Sequence, residues 1–131
     1  MDFGRILTEK EAERANGLVL AYVGDAVQSL YVRHRLAVSC DLKAGDLHKL
    51  ASNRVNAHTQ ANAADRLFDG LTDREKDVFL RARNSKSHHK AKNQTGADYR
   101  KATGLEAVFG YLYLTGDVER LVALLGEAYE D

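Results

Sequence analysis

The sequence predicts an all-α fold, and three observations carry that prediction. Its 131 residues include no proline, so no ring interrupts a helix. Long runs rich in Ala, Leu, Arg and Glu have high helix propensity. Apolar residues recur at helical spacing in several segments rather than alternating as in strands. A chain of this length makes one domain with one core. Hydrophobic residues at 44% and charged residues at 29% match an ordinary globular protein, not a disordered tail. The single Cys40 excludes an internal disulfide or a thiolate zinc cluster and suits a reducing compartment. No stretch approaches the roughly 20 apolar residues of a membrane span, and the start does not read as a signal peptide. The expected location is the cytoplasm, with no membrane partner.

The elements follow in order. Thr8 followed by Glu11 fits a capping box opening a short helix to about Asn16. From Gly17 to about Val38 apolar residues fall on every side of the helical wheel, which predicts a central, enclosed helix. Its far end turns polar at Arg33-His34-Arg35. Residues 39–45 read as a loop, and Asp46 as the cap of one helix running to about Phe68. Asp69-Gly70 reads as its stop. Thr72 and Glu75 form a second capping box, with Val78, Phe79 and Ala82 facing inward as far as Arg83. Residues 84–96 lack hydrophobic periodicity and predict a loop. A helix then runs from about Ala97 to Leu114. Gly116-Asp117 breaks and recaps into a final helix, Val118 to Tyr129, with Leu121, Val122, Leu124 and Leu125 inward.

Zero net charge conceals an uneven distribution. Between Arg81 and Lys101 lie Arg81, Arg83, Lys86, Lys90, Lys92, Arg100 and Lys101, against Asp98 alone. Such a block points to a localised anionic partner. The Asn and Ser donors among these cations suit phosphate and sugar contacts. Because residues 84–96 contain no Phe, Tyr or Trp, base stacking on single strands is not the expected mode there, and shape reading of a duplex remains open.

Two acids stand out against apolar surroundings: Asp25 within Leu18–Val27 and Glu106 within Leu105–Leu112. No Lys or Arg lies within four residues of Asp25, nor within four on the C-terminal side of Glu106. A buried charge requires a partner, and a divalent cation would satisfy both acids at once. Small residues at Gly17, Ala21 and Gly24, and at Gly104, Ala107 and Gly110, would let the two helices cross closely. The alternatives are that each acid caps a neighbouring helix or pairs with Arg100 or Lys101.

The segment Leu20-Ala21-Tyr22-Val23-Gly24-Asp25-Ala26-Val27 resembles the signature helix of the ribonuclease III catalytic domain. Thr103-Gly104-Leu105-Glu106-Ala107-Val108-Phe109-Gly110 is similar to that family's second acidic helix. Asn16-Gly17-Leu18, Asp46-Leu47-His48-Lys49 and Arg81-Ala82-Arg83-Asn84-Ser85-Lys86 are closer still to the Mini-ribonuclease III subfamily. The resemblance implies a helical catalytic domain spanning residues 1–131, with no appended double-stranded-RNA-binding domain, assembled as a homodimer. It implies a Mg²⁺-dependent endoribonuclease, with Mn²⁺ able to substitute, that cuts double-stranded RNA and leaves 5′ phosphates. The substrate it implies is precursor large-subunit (23S) ribosomal RNA.

Carried over residue by residue, Asp25 and Glu106 are the catalytic and metal-binding carboxylates. The family's two further acids fall on Ala21 and Thr103, which are non-acidic here, as in the Mini subfamily. Thr103 could hold a coordinated water, and Mg²⁺ tolerates a water-rich shell. Arg81, Arg83, Asn84, Lys86, Lys90 and Lys92 would grip the duplex. The missing acids leave a second reading open: a catalytically silent member of the family that binds structured RNA or ribosomal particles.

Overall fold

The two most apolar segments of the chain form long helices that cross at the centre of the molecule, and the other elements pack around them. The computed structural model describes residues 2–85 and 96–130. Among these there is no strand, and seven α-helices follow one another in sequence. They are α1 (Glu9–Arg14), α2 (Gly17–Ser39), α3 (Ala44–Arg54), α4 (Ala57–Leu67), α5 (Asp73–Arg83), α6 (Gly96–Leu114) and α7 (Val118–Tyr129). The all-α prediction holds.

The capping signals were legible. Thr8 and Glu11 form the reciprocal capping box of α1, and Thr72 and Glu75 that of α5. Gly116 turns the chain with a positive φ of 82°, and Asp117 then accepts the Arg120 N–H to start α7.

The single helix expected over 46–68 is instead two. Its start is also earlier than read: Lys43 is the N-cap residue of α3 and offers no side-chain bond, while Asp46 sits in the first turn. The break falls at Val55-Asn56. The Asn56 side chain accepts the Thr59 N–H at 2.9 Å and donates to the Asn53 carbonyl at 2.9 Å. One residue thus ends α3 and caps α4, an alternative that competes with helix continuation. A single 3-10 turn, Phe68–Gly70, follows α4.

Helix α6 is the enclosed one. Leu105, Ala107, Val108 and Phe109 are fully buried, with α2, α4, α5 and α7 packed around them. Helix α2 is not enclosed, contrary to its all-round apolar wheel. Val19, Tyr22 and Leu30 are 55%, 80% and 55% exposed, and Ala26 is exposed on the same face. The surplus of apolar residues forms a second stripe at helical spacing that no element among the described residues covers. In α7, Leu121, Leu124 and Leu125 are buried as expected, whereas Val122 faces outward.

Glu75 does more than cap α5. Only 2% exposed, it accepts both Nε and an Nη of Arg120 from α7, at 3.0 and 2.9 Å. Burial pushes its carboxyl up, but the Arg120 hydrogen bonds and the Thr72 N–H outweigh it and hold the pKa below the usual range. Arg120→Leu would strand a buried charge and is expected to cost about 3 kcal/mol, read as a lower urea midpoint at neutral pH. An unchanged midpoint would show that solvent already satisfies Glu75.

Candidate active site

The centre of the α2–α6 crossing is a backbone contact. A Cβ built on Gly24 would lie 1.7 Å from the Glu106 carbonyl oxygen, and one on Gly110 would lie 1.9 Å from that of Leu20. No side chain fits at either position, so the helices touch main chain to main chain. The outer glycines serve a different neighbour. A Cβ on Gly17 would lie 2.9 Å from Ala82 Cα, and one on Gly104 would lie 2.8 Å from the Phe79 ring, both on α5.

This contact brings the two acids together, since Gly24 adjoins Asp25 and rests on the backbone of Glu106. A single atom, Gln28 Nε2, donates to Asp25 Oδ1 at 3.4 Å and to Glu106 Oε2 at 3.1 Å. Asp25 lies at the exposed edge of α2, whereas Glu106 is largely buried. Asp25 is therefore open to solvent, not enclosed as its apolar neighbours led one to expect.

The electrostatics of the pair are those of two carboxyls short of positive charge. Burial, reinforced by a hydrogen bond to Asp25 and by its negative charge, pushes Glu106 up to about 9. Neither acid pairs with Lys101, whose ammonium is 2.9 Å from Asp65. Among the described residues, no group of three or more His, Cys, Asp or Glu gathers around a common point. A divalent cation fits what is present: adjacent hard oxygen donors, one face open to water, and a protonation state that a cation would reverse. Ala21 and Thr103, at the positions of the absent acids, are both buried. The Thr103 hydroxyl donates to the Tyr99 carbonyl at 2.9 Å, leaving its oxygen lone pairs as acceptors.

Three features of the site were not read from the sequence. Gln28 is fully buried, and its amide oxygen accepts a short hydrogen bond from the Tyr129 hydroxyl. Beside Asp25 opens a cavity of about 100 Å³ lined by Ser29, Arg33, Ala51, Ser52 and Val55. A polar residue one turn beyond Asp25 was a visible signal for Gln28. Nothing local pointed to Tyr129, 101 residues away.

The cationic positions divide. The Arg81 guanidinium donates to the carbonyls of Glu13, Ala15 and Ala12 at 2.5, 3.1 and 3.2 Å, fastening the end of α1. Both terminal nitrogens are thereby engaged, while Nε is buried without a hydrogen-bond partner, 3.9 Å from the Asp77 carboxylate, so charge is what Arg81 offers a ligand. Arg83 Nε reaches the Asn84 side-chain oxygen at 3.2 Å, and Asn84 is exposed at the end of α5. Lys86, Lys90 and Lys92 lie outside the described residues. Because Ala82 abuts Gly17, the basic end of α5 is about 12 Å along α2 from Asp25, by helical rise.

Comparison with known proteins agrees with this architecture. Residues 18–117 match the family model described as the Ribonuclease III domain. The Mini-ribonuclease 3 of Thermoanaerobacter sp. (strain X514) is 42% identical over 120 residues, covering 92% of this chain and 84% of that protein. The Mini-ribonuclease 3 of Staphylococcus aureus (strain NCTC 8325 / PS 47) is 44% identical over 114 residues, covering 86% and 85%. A crystal structure of a Fusobacterium nucleatum protein superposes with a TM-score of 0.77 at 29% identity, covering 85% of this chain and 88% of that one. An all-α chain with this match, and with relatives of this identity over nearly its whole length, belongs to the ribonuclease III family of double-strand-specific endoribonucleases, on its Mini-ribonuclease 3 branch.

Proposed function

We propose that the chain is a Mg²⁺-dependent endoribonuclease that cuts both strands of a double-stranded RNA, with Asp25 and Glu106 as its catalytic carboxylates. The observation that carries this reading is the convergence of those two acids on one Gln28 nitrogen. Asp25, Glu106 and a water accepted by Thr103 would hold the metal. A Mg²⁺ held there would supply a lowered pKa to the attacking water and would offset charge on the leaving 3′ oxygen. Mn²⁺ would substitute, having the same charge and oxygen preference.

The protein's own groups bind and orient. Asp25, at the open edge, would meet the scissile phosphate, while Glu106 stays behind it in the core. The cavity beside Asp25 presents the Ser29 and Ser52 hydroxyls and the Arg33 guanidinium to a neighbouring phosphate. Arg81, Arg83, Asn84, Lys86, Lys90 and Lys92 form the proposed grip on the duplex, Arg81 through its charge alone. One RNA could touch both regions, given their spacing along α2.

A homodimer fits the uncovered stripe of Val19, Tyr22, Ala26 and Leu30, which adjoins Asp25. A second copy laid on that face in two-fold symmetry would hide the apolar surface and set two sites side by side. The cytoplasmic substrate proposed on the subfamily resemblance is precursor 23S ribosomal RNA.

The test is cleavage of a long RNA duplex with Mg²⁺, mapping product ends on both strands and measuring mass by light scattering. Staggered cuts with 3′ overhangs and 5′ phosphates from a dimer are expected. Salt-dependent binding without any cut would establish the silent, RNA-binding alternative. Cutting confined to one strand would remove the paired-site mechanism.

A further inference from the structure

Gln28 is the least expected residue in the core. It is 0% exposed, on the inward side of α2, where an apolar residue would cost nothing to bury. Its amide is nonetheless fully used: the nitrogen serves both carboxylates, and the oxygen accepts from Tyr129. Tyr129 is the last residue of α7, and its ring packs 6.3 Å from that of Phe109 on α6. Buried Gln60 on α4 interacts with the same hydroxyl.

We propose that Gln28 and Tyr129 are positioning residues for the catalytic carboxylates, a role that rests on the assignment of Asp25 and Glu106 made above. A phenol beside an amide oxygen donates its proton to it. Tyr129 thereby fixes which way the Gln28 amide faces. The amide's NH₂ must then point at the two acids. Turned over, the amide would set its oxygen against both carboxylates, which offer it no donor. The carboxylates are held on a common donor before any cation arrives. Polar groups that orient the ligands of a metal in this way commonly set its affinity. The far end of α7, remote in sequence from both acids, becomes part of the active site's support.

The test uses Gln28→Met, which keeps the shape of the side chain, and Tyr129→Phe, which removes one oxygen. Mn²⁺ affinity is measured by the electron paramagnetic resonance of free Mn²⁺, beside kcat and KM on duplex RNA. Gln28→Met is expected to weaken Mn²⁺ binding about 10- to 100-fold and to lower kcat, with KM for RNA within about twofold. Tyr129→Phe should act in the same direction but less. The double variant should match Gln28→Met alone, because the tyrosine works only through the amide. Unchanged Mn²⁺ affinity in folded Gln28→Met would overturn the proposal, as would fully additive losses. Should Gln28→Met not fold, unchanged affinity in Tyr129→Phe decides against it equally. Asp25→Asn runs alongside: if it binds Mn²⁺ with parental affinity and cleaves at the parental rate, the assignment of the carboxylates fails, whereas its loss of activity beside a normal Gln28→Met removes the positioning role alone.

Discussion

Asp25→Asn and Glu106→Gln are each expected to slow duplex cleavage by about 10³-fold at saturating RNA, the several kcal/mol that a hydrolytic metal supplies. The loss should fall on kcat, because neither acid belongs to the basic surface proposed to grip RNA. Salt-dependent binding of the uncut duplex should stay within about twofold, or tighten, since each change removes a negative charge near phosphate. Both substitutions keep the side chain's shape, and near-parental circular dichroism would confirm that the helices are intact. Raising Mn²⁺ should restore part of the Asp25→Asn rate if one carboxylate and water still hold a cation. Retention of full activity by either variant would refute the assignment of that acid.

The second large effect is a stability that depends on pH and metal in opposite senses. In the metal-free protein Glu106 is pushed up to about 9, by burial first and then by Asp25, from an ordinary 4.5. Below the lower value both folded and unfolded chains carry the proton, and the contribution to stability is fully present. As pH rises toward the upper value, the unfolded chain ionises while the folded chain does not, and stability falls. The slope can reach about 1.4 kcal/mol per pH unit within that window. Binding of Mg²⁺ or Mn²⁺ selects the ionised form, releases the proton and reverses the loss. Thermal melts in chelator should therefore drop as pH is raised, and the gain in Tm from Mn²⁺ should be larger at about pH 8.5 than at about pH 6.5. Glu106→Gln should flatten the chelator series and, at alkaline pH, melt above the parent. Identical pH slopes in parent and variant would place the effect on another group. Glu75 provides the contrast: its lowered pKa makes a contribution that is present above the ordinary carboxylate range and lost in acid.

Much of the architecture was legible because it depends on local chemistry. The boxes at Thr8–Glu11 and Thr72–Glu75, the stop at Gly116 and the cap at Asp117 each involve residues within one turn, and all appear where expected. The division of α3 from α4 is also local, but the single helix expected over 46–68 runs through Asn56, which in fact caps α4. The exposed stripe of α2 was misread for a different reason. Periodicity counts apolar faces without saying what covers them. An all-round apolar helix can be buried in its own chain, as α6 is, or can keep one face for another molecule. The two acids were visible as charges out of place, yet their settings differ: Glu106 is in the core and Asp25 on the rim.

By itself, the sequence determined an all-helical chain, the caps that begin α1, α5 and α7, and two conspicuous acids beside glycines. Those properties follow from propensity, spacing and side-chain chemistry within a few residues. Only the tertiary structure decided that Gly24 rests on the Glu106 carbonyl and that Gln28 joins both acids. It alone placed Tyr129 behind Gln28 and Arg120 on Glu75. The physical reason is distance along the chain. A backbone contact or a buried hydrogen bond between remote residues depends on how whole helices pack, and a local pattern does not record its partner.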